Sequence, residues 1–323
     1  MRLMEKEALR NALPEAARPL FDDIVVPRVL GASAHIDRIS QIVGEIGRQD
    51  SSPAGLILIN QLLDYCCATR GQSSYAIINA VSELSARIQT QLQADFEVGR
   101  AVQAAVEQFQ SAGRAHRQAI IATASAVLKN CRKILLYDYS STVDAVVQQL
   151  ASDTEIVIAE SRTISGGLPF VKTCVQTHQS VSFIPDAALC QGLKGCDAVL
   201  IGAETFYPDG TALNTAGSEM AALLAHWQHV PYYVLTTAQK ADMRALQGGG
   251  KVIEPKDLRF KMAEGMAEAD AERLDFHVQG CVPIAPEFIT AYITELGVLP
   301  PAALFSALWA WKPEYFRRRE ETE

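Results

Sequence analysis

Residues 197–218 read DAVLIGAETFYPDGTALNTAGS, and the order of residue types in this stretch decides the fold of the second half of the chain. Ala198 to Ile201 is short and wholly apolar, as a strand buried on both faces of a parallel sheet must be. Gly202-Ala203 ends that run, and Glu204 stands at its carboxyl end. Tyr207-Pro208-Asp209-Gly210 carries turn chemistry. Asn214 to Ser218 then leads into an Ala- and Leu-rich run, Met220 to Trp227, which the spacing predicts as a helix. Strand end, acid, small polar residues and helix start set donors and a carboxylate in the crevice where open α/β sheets hold ligands. An ordinary strand-to-helix connection, with a solvated Glu204 and Ser218 as an N-cap, satisfies the same stretch.

The pattern recurs on both sides. Lys133–Asp138, Glu155–Glu160, Val181–Ile184 and Pro231–Leu235 are strand-sized apolar runs, separated by helix-sized stretches at 143–150, 169–177, 187–192 and 220–227. Such alternation predicts βαβ units in a parallel, doubly wound sheet. Right-handed crossovers put all five strand ends on one edge. Ala285 to Trp311 reads as apolar and helical, with Arg317, Arg318 and Arg319 as a solvated tail. Gly248-Gly249-Gly250 lacks the spacing of a phosphate-cradling loop, so it and the following Lys251, Lys256, Arg259 and Lys261 read as a mobile surface loop.

Before residue 125 no β-alternation is present. Ile36, Ile39, Ile42, Val43 and Ile46 keep a helical period, Leu56 to Leu63 gives another helix, and 89–128 gives one or two extended ones. The expected organisation is therefore a helical domain, 1–125, followed by an α/β domain, 126–323.

Composition narrows the function classes. A chain of 323 residues holds a large core, and its net charge of −8 argues against binding along a nucleic-acid backbone. No apolar run is long enough for a bilayer, and the acid-bearing N-terminus lacks the apolar core of a signal peptide. The seven cysteines form no CxxC pair, so reduced, buried thiols in the cytoplasm are expected, Cys196 among them. His226 and His229 lie three apart but read as an exposed helix face, and no metal site is expected. There is no GxSxG elbow and no GxGxxG fingerprint, which leaves serine hydrolase and dinucleotide dehydrogenase chemistry without support.

The sheet edge collects Asp138, Tyr139, Ser140 and Ser141 after the first strand, and Glu160, Ser161 and Arg162 after the second. Asp186, Glu204, Asn214, Ser218, Thr236 and Thr237 complete it. Carboxylates in a partly dry cleft raise one another's pKa and can exchange protons near neutrality. With Arg162 for a phosphate, such a set suits proton shuttling on a sugar.

Four segments, ILLYDYSS, VIAESRTISG, the run from Asp197 to Thr236, and APEFITAYITELGVLPP, make residues 130–305 resemble the superfamily of translation initiation factor 2B alpha, beta and delta subunits. That superfamily also holds isomerases acting on methylthioribose-1-phosphate and ribose-1,5-bisphosphate. The resemblance implies a helical N-terminal domain on a Rossmann-like parallel-sheet domain, homodimerised through the latter, with the ligand between the two. It implies that Asp138 stands where the isomerases have a catalytic cysteine and Glu204 where they have a catalytic aspartate. Their Asn-Lys pair becomes Asn214-Thr215, their arginine after the second strand is Arg162, and Gly31, Ala32 and Arg70 match their glycine-alanine turn and phosphate-side arginine.

Three functions follow as expectations. The first is a binder of a phosphorylated sugar or nucleotide, using Gly31, Ala32, Arg70, Ser140, Ser141, Arg162, Asn214, Thr215 and Ser218, with no cofactor. The second is an aldose–ketose isomerase on a phosphorylated ribose derivative, with Asp138 and Glu204 as the acid–base pair. The third is a non-catalytic assembly subunit.

Overall fold

The computed structural model describes residues 3–26, 31–94 and 97–312. The arginine tail at 317–319 lies outside them. Two compact units, Met1–His116 and Arg117–Glu323, divide the chain. This division and the expected boundary at 125/126 both fall inside one long helix.

In the first unit the helices are α1 (Lys6–Ala12), α2 (Arg18–Val25), α3 (Ala32–Gln49), α4 (Pro53–Ala68), α5 (Arg70–Ser73) and α6 (Tyr75–Gln93), and α7 (Val98–Leu128) begins there. The predicted periodicity has its physical counterpart in α3, where Ile36, Ile39, Ile42, Val43 and Ile46 are all buried. They pack with Phe21, Ile59, Leu62 and Phe109 into one core. Each such side chain contributes about 1.5–3 kcal/mol by leaving water. Ser52 starts α4 by accepting the Ala54 N–H at 3.2 Å, and Pro53 opens its first turn.

The second unit holds twelve described strands. β1 (Lys133–Leu136), β2 (Glu155–Ala159), β3 (Ser180–Ile184) and β4 (Ala198–Ile201) come first, then β5 (Thr205–Phe206), β6 (Ala212–Thr215) and β7 (Tyr232–Leu235). β8 (Pro255–Asp257), β9 (His277–Gln279), β10 (Cys281–Ile284), β11 (Ala291–Thr294) and β12 (Gly297–Leu299) follow. Helices α8 (Ser141–Val147), α9 (Leu168–Gln176), α10 (Leu189–Gly192) and α11 (Ser218–Trp227) connect the early strands. The short α12 (Arg259–Met262) and α13 (Glu268–Ala271) precede β9, and α14 (Leu304–Trp311) comes last.

The main sheet has the order β12-β11-β7-β4-β1-β2-β3, parallel except for the β11–β12 pair. β4 is buried along its whole length, which its unbroken apolar run required. The chain winds outward from β1 through β2 to β3, then crosses back to place β4 on the other side of β1. The connections leaving β1 and β4 therefore diverge, and a crevice opens between their carboxyl ends.

Three sequence expectations are corrected. Residues 285–311 are not one helical stretch: β11 and β12 form a hairpin there, and only Leu304–Trp311 is α-helical. The apolar content misled, whereas the β-branched ITAYIT run followed by Gly297 is hairpin chemistry. Asn214 and Thr215 do not simply lead into a helix, because they end β6, which pairs antiparallel with β5 and β10 in a separate three-stranded sheet. Helix α11 takes Gly217, not Ser218, as its N-cap, in the left-handed conformation at φ 98°. A Cβ there would also lie 1.9 Å from the Tyr137 hydroxyl, so both backbone and space demand glycine.

Candidate functional site

The loop after β1 is held by its neighbours rather than by its own turn residues. The Tyr137 hydroxyl donates to the Ala216 carbonyl at 3.0 Å, tying the end of β1 to the start of α11. Asp138 follows with φ 59°, a left-handed conformation uncommon for a non-glycine residue, and is only 4% exposed. The Ser161 hydroxyl donates to its carboxylate at 3.2 Å, and the Thr215 side chain and Tyr139 N–H also bond to it. Gly166 lies against the same carboxylate, where a Cβ would come within 2.1 Å of Oδ1. Ser140 caps α8, accepting the Val143 N–H at 3.4 Å, and Ser141 is the first residue of that helix.

The loop after β2 is fixed from below. Asp186 accepts the N–H groups of Ser161 at 2.9 Å and Arg162 at 2.8 Å, one on each oxygen. Ser161 is itself strained, at φ 49°, and fully buried. Arg162 is exposed and turns its guanidinium to Glu160, 3.5 Å away, and to the Lys261 carbonyl at 3.2 Å. Lys261 returns the contact, donating to the Arg162 carbonyl at 2.7 Å and the Ser165 hydroxyl at 2.8 Å.

After β4 the backbone carries Glu204, whose N–H donates to the Leu213 carbonyl at 2.9 Å. Its carboxylate sits 3.1 Å from the Lys251 Nζ. Lys240 donates to the neighbouring Ala203 carbonyl at 2.7 Å. Protein mass crowds Glu204 from several sides, yet its side chain keeps 47% of its surface open. Asn214 donates to the Ser218 hydroxyl at 3.0 Å, and both are buried.

Electrostatics separates the two acids. Burial pushes the Asp138 carboxyl up from 3.8 to about 6. Its bonds from Thr215, Tyr139 and Ser161 only partly offset that, and the charge of Glu204 adds to it. Burial pushes Glu204 upward as well, but Lys251, Lys240 and Lys256 outweigh it and hold this carboxyl below its ordinary value. Lys240 is lowered by its own burial, against the opposing pull of Glu204. Two carboxylates with ionisation pushed apart are the usual arrangement for dividing acid from base.

The structure thus brings together Asp138, Thr215 and Glu204 of the sequence-read residues, with Ser161 beside them. The Asn214–Ser218 pair forms the wall next to them, through the β6–α11 connection. Ser140 and Ser141 act as a helix start. Gly31, Ala32 and Arg70 belong to the helical unit. There Gly31 precedes α3 with φ 87°, Ala32 opens it, and Arg70 donates to the Ile24 carbonyl at 2.7 Å.

Lys240, Lys251 and Lys261 were missed as site residues. The segment read as a loose surface loop is pinned at several points: the Lys251 N–H donates to the Tyr207 hydroxyl at 3.0 Å, β8 pairs with β9, and Lys261 is held as described. No local signal in the sequence marks these lysines, because their contacts span tens of residues. Cys196 is buried, donates to the Gly192 carbonyl at 3.3 Å and has its thiol pushed up to about 11 by burial, as a core residue would. The His226 ring packs against Phe288, and among the described residues no group of His, Cys, Asp and Glu has the arrangement of a metal site.

Residues 54–301 match the family described as the initiation factor 2 subunit family. The ribose 1,5-bisphosphate isomerase of Archaeoglobus fulgidus is 27% identical over 179 residues, covering 54% of this chain and 56% of that protein. The methylthioribose-1-phosphate isomerase of Acaryochloris marina is 31% identical over 130 residues, covering 40% of this chain and 37% of the relative. The chain therefore spans about half or less of the curated relatives it matches. Among solved structures, the Pyrococcus horikoshii 5-methylthioribose 1-phosphate isomerase superposes with a TM-score of 0.73 at 16% identity, covering 94% of this chain and 92% of that one. The translation initiation factor eIF-2B of the same organism gives 0.68 at 17%, covering 90% and 98%. At these identities the superpositions show a shared fold.

Proposed function

This chain belongs to the initiation factor 2 subunit family, and we propose that it binds a phosphorylated sugar at the carboxyl edge of its parallel sheet. The ligand sits over the crevice between β1 and β4. The observation that carries this reading is the pair formed by Asp138 and Glu204 at the ends of those two strands, flanked by Lys240, Lys251 and Lys256. Hydroxyl-rich ligands suit the donors and acceptors there, and an anionic group suits the net positive surroundings supplied by Lys256 and Arg162. Isomerases of phosphorylated riboses among the relatives support the same ligand class.

The opposite ionisation of the two acids favours a second reading, catalysis of an aldose–ketose exchange. Glu204, held ionised, takes the proton from the carbon bearing the hydroxyl while Asp138, protonated for a fraction of the time with its carboxyl near 6, gives its proton to the carbonyl oxygen, forming an enediol. Glu204 then returns its proton to the neighbouring carbon as the Asp138 carboxylate takes the proton of the other hydroxyl, so both acids end as they began. No redox step is needed, since the two carbons exchange oxidation state. The reading places the protein in the cytoplasm as a homodimer through its α/β unit, and sedimentation velocity checks the dimer.

Thermal shift against a panel of phosphorylated pentoses and nucleotides tests the binding. A ligand at a hundred times its Kd stabilises by about 2.7 kcal/mol, and absence of any shift across the panel removes the reading. For catalysis, Asp138→Asn and Glu204→Gln should each lower turnover by about 10²–10⁴-fold. Unchanged turnover in both would place the chemistry elsewhere.

A further inference from the structure

Lys251 and Glu204 are 47 residues apart in sequence, yet their charged groups lie 3.1 Å apart. The two sides of this ion pair are unequal. The lysine side chain is only 12% exposed, whereas the glutamate side chain it holds is 47% exposed. A lysine so covered is not a solvated surface charge: its backbone N–H is fixed on the Tyr207 hydroxyl, and Tyr207 belongs to the turn that follows Glu204. The segment beyond it is fixed again where Lys261 grips the loop after β2, at the Arg162 carbonyl and the Ser165 hydroxyl. One strap therefore joins the loops after β2 and β4, and its first lysine is paired with Glu204 in the latter.

The charges facing Glu204 are Lys251 and Lys256 from the strap and Lys240 from the turn after β7. Asp138 lies across the crevice and Cys281 on β10. Of the three cations, Lys240 is committed to the Ala203 carbonyl, and Lys251 makes the direct bond to the carboxylate. We propose that Lys251 is a positioning residue for this site, holding the Glu204 carboxylate in place from a strap docked on Tyr207. Its role in turnover rests on the sugar-phosphate reading; its hold on Glu204 does not.

The test measures the acid directly. Carboxyl carbons of glutamate are labelled with carbon-13, and the Glu204 signal is identified as the one absent from Glu204→Gln. Its titration is then followed by NMR in the wild type, in Lys251→Met and in Lys251→Arg, all full length and matched for thermal melting. The expected result is an upward shift of the Glu204 midpoint in Lys251→Met and a wild-type-like midpoint in Lys251→Arg. A purely packing role for Lys251 would leave the midpoint where it is in both variants, and that result overturns the inference. A parallel titration with ribose 5-phosphate separates the two questions. A midpoint that moves in Lys251→Met while the wild type shows no binding supports the inference and counts against the functional reading.

Discussion

Asp138 and Glu204 stand at the ends of neighbouring strands, β1 and β4, and their surroundings treat them in opposite ways. Asp138 is folded into the protein with a left-handed backbone, hydroxyl donors and a glycine against its carboxylate, and burial pushes its carboxyl up to about 6. Glu204 is half open to water, and lysines from two later segments hold it below its ordinary value. The difference teaches that strand position supplies the pair, while side chains from distant sequence assign the members. One acid is tuned by removing water and the other by adding charge.

The comparison can be broken most severely from the Asp138 side. Gly166→Ala would set a Cβ 2.1 Å from Asp138 Oδ1 and 3.0 Å from the Tyr139 nitrogen. Overpacking of this kind costs about 3 kcal/mol, so a clear fall in the urea midpoint is expected, and an unchanged midpoint would mean the loop is less tightly packed than described.

Asp138→Asn should do the reverse. In the folded chain this carboxyl titrates at about 6, against 3.8 for the ordinary group. The folded state binds more protons between those values, so the contribution of Asp138 to stability falls as pH rises through that window and is level above it. Each pKa unit is worth about 1.4 kcal/mol, so the variant should gain about 3 kcal/mol over the wild type at pH 8. The gain should shrink towards pH 4. Urea unfolding at both pH values checks it, and a gain independent of pH would point to packing instead.

Ser161→Ala removes the 3.2 Å hydroxyl donor to Asp138 while keeping the strained backbone. A loss of about 1 kcal/mol is expected, together with a further rise in the Asp138 midpoint, because that bond favours the ionised form. Smallest of all is Glu204→Gln, which should change stability by less than about 1 kcal/mol, an effect that 0.5 M salt should largely remove. A larger, salt-independent loss would show that the Lys251–Glu204 pair behaves as a buried one.

Much of this was legible in the residues. Apolar runs of four or five residues alternating with helical stretches fixed the parallel sheet, because a strand covered on both faces has no polar face to show. That put Asp138, Arg162 and Glu204 at carboxyl ends by counting alone. The end of the chain was not legible in the same way, since a short apolar run fits a helix or a buried strand equally well, and only pairing with β7 resolved Ala291–Thr294. The lysines were not legible for a different reason. Lys251 reaches Glu204 across 47 residues, and Lys261 reaches Ser165 across 96, separations over which no local pattern carries information.

The sequence by itself determined the element order, the helical first unit, the family resemblance and the two acids at the sheet edge, because hydrophobic period and turn chemistry are local properties. Only the tertiary structure decided that Asp138 is buried and Glu204 is paired. It also decided that Thr215 serves Asp138, and that a supposed surface loop is held against the loops after β2 and β4, with Lys251 on Glu204. Ionisation depends on how much water and which charges surround a group, and both are fixed by what the fold brings near it.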